Sequence, residues 1–251
     1  MLAELEPNLS YPESGAAFLP EASVDPRALI SAAVKAAKHR GVDIVSGTAV
    51  TQIDISNLGA SGVSTVNTRY PAAVVINCAG AWSGQVPGPL PIPTRPIKGH
   101  MLAVIPASRI VAHAPSTGDA LVRHVVRGPG AYIVPRSDGR IVIGSTVEDV
   151  GYDKRVVPET IQQLHQAAAN LIPELGEALI HESWAGLRPG TPDTLPLMGR
   201  TAVDGYFVAA GHYRDGILLA PITAHLMTEL IRGQQPDFDL AAFSPQRFGR
   251  P

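Results

Sequence analysis

The stretch from residue 206 to residue 233 constrains the fold of this chain more than any other. An apolar run, Tyr206–Ala210, is followed by a turn between Gly211 and Gly216 and by an apolar segment that Gly233 ends. The short run bounded by glycine predicts a buried strand, and the longer segment predicts a helix from about Asp215 to Arg232. A strand, a turn and a helix in this order are typical of an α/β fold. The free N–H groups at the helix start would stabilise an electron-rich ligand.

A second apolar run, residues 72–80, predicts a ligand-facing edge of the same kind. It reads Ala72-Ala-Val-Val-Ile-Asn-Cys-Ala-Gly80, which is typical of a strand buried on both faces. Ligands of open α/β sheets gather beyond the carboxyl ends of the strands, and Ala79 and Gly80 would let a bulky group approach the backbone. A tight turn after a core strand would produce the same pattern, so both interpretations stay open.

The segments before residue 72 continue the α/β pattern. Asp25 followed by Pro26 predicts the start of a helix with one apolar stripe, and Gly41 ends it. Strands are predicted at residues 42–45, 48–55 and 62–68. Residues 1–24 are interrupted by prolines and predict loop with no more than one strand.

The middle of the chain has a different pattern. After a proline-rich link at residues 87–96, strands are predicted at residues 99–105, 120–126, 131–135 and 140–144, with a hairpin turn at 137–139. Apolar residues spaced three and four apart predict a helix over residues 158–171. The 251 residues allow two domains. We therefore expect α/β plus α+β, with an antiparallel-sheet domain inserted into the first. The proline-interrupted tail, residues 235–251, is expected to carry no chemistry.

Composition narrows the expected partners. The formal net charge of −2 gives no sign of nucleic acid binding, and no apolar run is long enough for a membrane span. The single cysteine, Cys78, excludes an intrachain disulfide and fits a reducing compartment, so we expect a cytoplasmic protein. The acidic start of the chain does not have the pattern of a signal peptide. We expect neither nucleic acid nor membrane as a partner, and homo-oligomer formation stays open.

Arg188 and Tyr132 are the candidate binding side chains. Arg188 lies where Pro189 and Pro192 predict a stiff loop, and its guanidinium could hold a carboxylate through two hydrogen bonds. An arginine in such a loop is more often a surface residue, and a tyrosine in a strand is more often part of the core. Neither side chain establishes a site by itself.

Other chemistries lack their motifs. The sequence has no G-x-S-x-G, no H-E-x-x-H and no P-loop, and its histidines lack ligand spacing, which argues against a serine hydrolase and against a metal site. No G-x-G-x-x-G follows a predicted strand, so the unit that holds a pyrophosphate in dinucleotide-binding folds is missing.

Three motifs occur in a fixed order along the chain. They are Asn77-Cys-Ala-Gly-Ala-Trp82, Gly186-Leu-Arg-Pro-Gly-Thr-Pro-Asp193 and Ala209-Ala-Gly-His-Tyr-Arg-Asp-Gly-Ile-Leu-Leu-Ala-Pro221. With them the chain resembles the D-amino-acid oxidase family of flavoenzymes, and within it the glycine oxidases, from about residue 20 to about residue 232. The resemblance implies FAD and an incomplete FAD-binding (Rossmann-like) domain interleaved with an antiparallel-sheet substrate domain. It assigns residues 21–86 and 183–234 to the first, 1–20 and 87–182 to the second, and 235–251 to a tail.

The resemblance also implies roles for individual residues. Arg188 would bind the substrate carboxylate, Tyr132 would hydrogen-bond the same group, and Arg214 would lie near the substrate. The implied flavin-binding residues are Val50, at the adenine end, with Ala79, Gly80, Gly211, His212, Tyr213, Arg214, Asp215, Gly216, Ile217 and Leu218. Amides of residues 216–218 would face the edge of the reduced isoalloxazine ring where negative charge develops. No metal is implied.

The implied reaction is oxidative deamination of glycine or a related small amino acid or amine. Hydride would pass from the substrate α-carbon to flavin N5, the imine would be released and hydrolysed, and oxygen would reoxidise the flavin to give hydrogen peroxide. Thiamine biosynthesis is the implied pathway. Sarcosine, a D-amino acid and proline stay open as substrates. Covalent flavin attachment is not expected, because Cys78 lies in a predicted buried strand.

The chain also departs from the family pattern. Relatives carry a G-x-G-x-x-G segment ahead of the region that matches Met1, and without it we expect poor or absent FAD affinity and an exposed edge prone to aggregation. A misplaced start, an artificial chain end and one half of a split protein all stay open. A non-catalytic fragment, or a subunit that needs a separate nucleotide-binding chain, is therefore a second interpretation.

Overall fold

The computed structural model describes residues 2–10, 15–106 and 120–248. Within them the chain divides into two compact units. Unit 1 comprises Met1–Lys35, Lys98–Glu148 and Asp153–Gly186, and unit 2 comprises Ala36–Ile97, Asp149–Tyr152 and Leu187–Pro251. The division resembles the interleaving expected from the sequence, although the predicted assignment of flavin and substrate domains stays a prediction.

The regular elements are named here in chain order. The helices are α1 (Leu2–Leu5), α2 (Pro26–His39), α3 (Pro158–Leu171) and α4 (Gly216–Ile231). The strands are β1 (Val50–Ser56), β2 (Gly59–Thr65), β3 (Arg69–Pro71), β4 (Val75–Asn77), β5 (Arg95–Ile105), β6 (Val126–Gly128), β7 (Ala131–Pro135), β8 (Ile141–Gly144), β9 (Leu179–Gly190), β10 (Leu197–Arg200) and β11 (Tyr206–Ala210). The predicted helices α2, α3 and α4 are confirmed, as are the strands β7 and β11. None of the described helices is both long enough and apolar enough to cross a membrane.

Unit 1 is built on a five-stranded sheet with the order β6-β7-β8-β5-β9. The pairs β6–β7, β7–β8 and β5–β8 are antiparallel, as the sequence predicted. Helix α3 buries Ile161 and Leu164 against the sheet, where Leu102, Ile133 and Ile143 are inaccessible to solvent. Burial of each such side chain stabilises the unit by about 1.5–3 kcal/mol.

A buried polar group fixes the start of α3. The His100 side chain is fully buried, and its Nε2 accepts the backbone N–H of Val157 at 3.1 Å. His100 Nδ1 lies 2.8 Å from Glu148 Oε1, so the ring carries its proton at Nδ1 and donates it to the carboxylate. Thr146 also donates to Glu148. Because every partner is inside unit 1, the charge on Glu148 is compensated locally, and these contacts lower its pKa against the opposing effect of burial.

Unit 2 contains two small sheets. In the first, β11 pairs antiparallel with β10 and parallel with β4, and in the second β1, β2 and β3 form an antiparallel meander. The core joins Tyr206, Val208 and Leu197 to Ile53 and Val75. Strand β11 is therefore central, and the chain leaves its carboxyl end directly into the glycine turn.

Three predictions about strands are wrong. Residues 42–45 form no strand, and Val42, Ile44 and Val45 are exposed, because no described strand pairs with them. Residues 120–125 are irregular, since the backbone N–H groups of Arg123 and His124 donate to the Glu6 carboxylate instead of to a neighbouring strand.

The third error concerns the strand predicted at residues 72–80. Only Val75–Asn77 is a strand, and it is not buried on both faces, since the exposed fraction of Ile76 is 41%. It has one described neighbour, β11, so one face and one edge lack cover. Residues 1–24, predicted as loop with no more than one strand, contain no strand in their described part, which excludes residues 1 and 11–14.

Candidate functional site

The glycine turn has a backbone that requires glycine at its first position. Gly211 has a φ of +75°, and a Cβ there would lie 2.6 Å from Cγ2 of Thr191. Tyr213 also adopts a positive φ, of 48°, and the Asp215 N–H donates to the carbonyl of His212 at 2.9 Å. The turn therefore folds tightly against the segment that follows β9.

Helix α4 begins directly after this turn without a side-chain cap. Asp215 occupies the N-cap position, but its side chain makes no capping hydrogen bond. The amides of the first turn, at Gly216, Ile217 and Leu218, are thus available to an outside acceptor, and the helix dipole favours an electron-rich one. The exposed fractions of Ile217 and Leu218 are 43% and 77%, so apolar surface surrounds these donors.

His212 is held inside the turn by α4. Its Nε2 lies 3.0 Å from Oγ1 of Thr223, a buried residue on the second turn of the helix. Burial lowers the pKa of His212, so the imidazole is neutral at neutral pH.

Arg188 lies in strand β9 and not in a loop, which corrects the prediction. Strand β9 continues through Pro189 to Gly190, because the strand needs no backbone N–H donor at residue 189. The Arg188 side chain is half-buried. The N–H of Tyr213 donates to the Pro189 carbonyl at 3.0 Å. The end of β9 and the glycine turn are thus in contact within unit 2, as the two motifs suggested.

The other two predicted substrate residues have different surroundings. Arg214 is exposed, with its guanidinium carbon 5.3 Å from the centroid of the Tyr213 ring. Tyr132 belongs to unit 1, where it lies on β7 and its hydroxyl is 3.2 Å from the Met101 sulfur. A role for either residue at the substrate stays a prediction.

A second turn follows β4 and is fixed by Asn77. Its side-chain N–H groups donate to the Ser83 carbonyl at 3.0 Å and to the Tyr206 hydroxyl at 3.2 Å, and its Oδ1 accepts the N–H of Ala79 at 3.1 Å. The next residue, Gly80, has a φ of +58° and open space where a Cβ would be. The sequence motif does not reveal this role of Asn77, because hydrogen bonds to residues far along the chain leave no signal in sequence.

This second turn borders an apolar cavity of about 450 Å³. The cavity is lined by two of the predicted flavin residues, Val50 and Ala79, together with Ile76, Cys78 and Trp82. The buried hydroxyl oxygen of Ser83, in the same segment, has no hydrogen-bond partner. Mostly apolar walls with a few polar side chains, here Asn77 and Gln85, are typical of a small-molecule site.

The position of Cys78 corrects a further prediction. It follows β4 and its side chain is exposed, so the argument that it lies inside a buried strand is wrong. Although it is exposed, the apolar cavity wall raises the pKa of its thiol. The reactive thiolate is therefore scarce at neutral pH.

The described residues contain one group of side chains that could together bind a metal ion. His225, Glu229 and Asp237 place their ligand atoms within 4.8 Å of one another. His225 and Glu229 are one helical turn apart on α4, a spacing that the prediction of scattered histidines overlooked. His225 Nε2 lies 3.4 Å from Glu229 and 3.7 Å from Asp237, so the group links α4 to the segment after it.

Comparisons with known proteins agree with the motifs. A family model described as "DAO: FAD dependent oxidoreductase" matches residues 1–230. The chain is 40% identical over 229 residues to the bifunctional protein ThiO/ThiG of Synechocystis sp., covering 91% of this chain and 33% of that protein. It is 35% identical to the hydrogen cyanide synthase subunit HcnC of Pseudomonas protegens, covering 97% of this chain and 57% of that one.

A solved structure shows the same fold. The crystal structure of glycine oxidase from Geobacillus kaustophilus superposes with a TM-score of 0.86 at 33% identity, covering 98% of this chain and 65% of that chain. The predicted fold class is thereby confirmed. This chain spans a third to two thirds of the length of these relatives.

Proposed function

The chain belongs to the DAO family of FAD-dependent oxidoreductases, and we propose that it forms the part of such an enzyme that contacts the flavin ring and the substrate carboxylate. The observation that carries this proposal is the contact between the end of β9, with Arg188, and the glycine turn that opens α4. An anion-binding side chain and a set of uncapped helix amides then belong to one structural unit.

The residues of unit 2 fit FAD in two places. The amides of residues 216–218 would donate hydrogen bonds to the electron-rich edge of the reduced isoalloxazine ring, and the exposed Ile217 and Leu218 would cover it. The apolar cavity beside Val50 and Ala79 offers a second surface. When bound, FAD supplies the two-electron acceptor for amine oxidation.

The protein's own contribution is to bind and orient the substrate. Arg188 would hold the carboxylate with its fixed charge and its fork of donors, and Arg214 would add a contact to the same end. Holding this end fixes the substrate α-carbon with respect to the flavin, which lowers the barrier through orientation and needs no side-chain base.

We propose glycine, or a similarly small amino acid or amine, as the substrate and oxygen as the electron acceptor, with hydrogen peroxide as a product. Support comes from the glycine oxidase of Geobacillus kaustophilus, which is 34% identical over 249 residues. Sarcosine, D-amino acids and proline are alternatives, and an L-proline dehydrogenase shares the fold with a TM-score of 0.83 at 24% identity. We also propose a cytoplasmic location, which suits the unpaired Cys78.

A second candidate function is that of a subunit completed by another polypeptide. The observation that favours it is the exposed apolar surface at Val42, Ile44 and Val45 and on β4, together with the lack of a G-x-G-x-x-G motif in the sequence. Such surface is typical of a face that another segment covers.

Flavin binding separates these two functions. FAD is titrated into the purified chain, first alone and then with the part of Geobacillus kaustophilus glycine oxidase that the chain does not match, and bound flavin is measured after gel filtration. Near-equimolar flavin on the chain alone supports a stand-alone enzyme. Flavin bound only to the mixture supports the subunit. No bound flavin in either case contradicts the proposal.

Substrate class is tested on whichever preparation holds flavin. Hydrogen peroxide production is measured with glycine, sarcosine, D-alanine and proline. Turnover that is fastest with glycine supports the proposal, whereas turnover with proline alone contradicts the proposed substrate.

A further inference from the structure

The C-terminal segment holds the loop that follows Arg188 through one ion pair, in which the Asp193 side chain is 34% exposed. Arg247 lies in a short 3-10 turn, Pro245–Phe248, and its Nε and Nη2 donate to the two carboxylate oxygens of Asp193 at 2.8 and 3.0 Å. Its Nη2 also donates to the Leu195 carbonyl at 2.9 Å. The Arg247 side chain is only 14% exposed. Bidentate pairs of this kind are strong and directional, so the loop has one preferred position.

Asp193 passes this constraint to the rest of the loop. Its Oδ1 accepts the N–H of Leu195 at 3.1 Å and lies 3.2 Å from the hydroxyl of Thr191. Hydrogen bonding to Arg247 is the main reason that the pKa of Asp193 is lowered to about 2, so the carboxylate is ionised at neutral pH. The loop is therefore closed by a permanent charge pair.

Thr191 connects the loop to the glycine turn. It is 1% exposed, and its methyl group occupies the space beside Gly211 where a Cβ would be. Two residues earlier, the Pro189 carbonyl accepts the N–H of Tyr213. A displacement of the loop would therefore move the backbone on the C-terminal side of Arg188 and the turn that opens α4 together.

We propose that Arg247 is a positioning residue for the substrate site, acting through Asp193 and Thr191 on Arg188 and on the glycine turn. This inference rests on the proposed role of Arg188. Displacements of about 1 Å in a binding group can cost about a hundredfold in rate, which is why a residue outside the site can control it. The tail, expected from sequence to carry no chemistry, then has a part in substrate binding.

The contacts require arginine specifically. Arg247 uses its Nε, Nη1 and Nη2 nitrogens on Asp193, Leu195 and Ser244 at once. A lysine could supply the charge, but it could donate hydrogen bonds in only one of these directions. The loop of Arg247→Lys should therefore be held less firmly than in the native chain and more firmly than in Arg247→Ala.

The first test measures hydrogen exchange in the full chain. We expect Arg247→Ala to raise the exchange rates of the Leu195 and Tyr213 amides at least about tenfold, although Tyr213 does not contact Arg247, because both amides lie in the clamped structure. Asp193→Asn, which keeps the side-chain volume, should act in the same direction. Arg155→Ala is the matched control, since Arg155 forms the same kind of pair with Asp153 while its side chain is 87% exposed.

The result that would overturn the inference is an unchanged Tyr213 exchange rate in both Arg247→Ala and Asp193→Asn. This measurement needs no bound flavin. It therefore tests whether the Asp193–Arg247 pair holds the glycine turn, even if the chain binds no FAD and the proposed function fails.

The second test uses the flavin-containing preparation. We expect Arg247→Ala to raise the KM for glycine about tenfold or more, with Arg247→Lys intermediate and with flavin content and kcat within about twofold of the native values. A lower flavin content with an unchanged KM would show that the clamp only supports the fold, and it would overturn the positioning role. Loss of all turnover in the native preparation would instead count against the proposed function.

Discussion

Strands β8 and β4 are both apolar in sequence but have different surroundings. In unit 1 all four residues of β8 are buried, and Ile143 is inaccessible to solvent between two neighbouring strands and α3. In unit 2 the equivalent side chain on β4, Ile76, is 41% exposed and faces a cavity. Strand β8 thus finds the partners for its apolar residues within unit 1, whereas β4 leaves part of its apolar surface open.

The difference teaches which part of the molecule is built for stability and which for binding. The core of unit 1 contains side chains that are inaccessible to solvent, such as Leu102 and Ile133, and its buried His100 is paired with Glu148 inside the unit. The open apolar surface of unit 2 lies at the predicted flavin residues and at residues 42–45. Ligand or polypeptide binding would therefore stabilise unit 2 more than unit 1.

The comparison predicts a large difference between two identical substitutions. Ile143→Ala should lower the free energy of unfolding by about 2–5 kcal/mol, because it leaves a cavity in a closed core, and Ile76→Ala by less than about 1 kcal/mol. Urea unfolding followed by circular dichroism measures both. Equal losses of unfolding free energy would show that the two strands have the same surroundings and would contradict the comparison.

Asn77 is the point where unit 2 is most sensitive. Asn77→Ala should cost about 2–3 kcal/mol, since the Tyr206 hydroxyl and the turn at Ala79 lose their buried partner. Asn67→Ala, at an exposed turn position, serves as the control and should change stability by less than about 0.5 kcal/mol. If both variants unfold at the same urea concentration, Asn77 does not fix the turn.

The ion pair of Asp193 should give unit 2 a pH dependence. The pKa of Asp193 falls from 3.8 to about 2 on folding, so its contribution is present above about pH 4 and is lost as the pH falls towards 2. Allowing for solvent screening, we expect native chain and Asp193→Asn to differ by about 1–2 kcal/mol at neutral pH. The difference, measured by urea unfolding, should shrink below about pH 4. A difference that stays constant with pH would rule out the pair as its source.

The smallest effect on stability is expected at the open surface. Ile44→Lys and Val45→Lys should change the free energy of unfolding by less than about 0.5 kcal/mol, because both side chains are exposed. The same changes should reduce binding of a dye specific for apolar surface. A loss of stability above about 1 kcal/mol would show that these residues are packed.

Local patterns in the sequence predicted most of the elements, but not their surroundings. The spacing of Ile161 and Leu164 and the glycines at 211 and 233 correctly predicted α3, the turn and α4. Residues 42–45 were predicted as a strand because their pattern is right, yet a strand also needs a neighbour. Periodicity reports the apolar face of an element and says nothing about what covers it.

The candidate site shows the same limit. Motifs correctly brought the end of β9 together with the glycine turn. They could not predict that Arg188 lies in a strand, that Cys78 is exposed or that Asp193 pairs with Arg247. These features depend on contacts between residues far apart in the chain. Arg247 in particular lies in a segment whose prolines predicted only a loose tail.

The most direct test of the account is the KM for glycine of Arg188→Ala, measured on the preparation that binds flavin. Loss of the charge pairing with the substrate carboxylate should cost ~2–5 kcal/mol, which raises the KM about 30-fold or more, while flavin content stays the same. Arg69→Ala, at an exposed arginine of the same unit, is the control and should leave the KM unchanged. An unchanged KM in Arg188→Ala would remove Arg188 from the site and contradict the account.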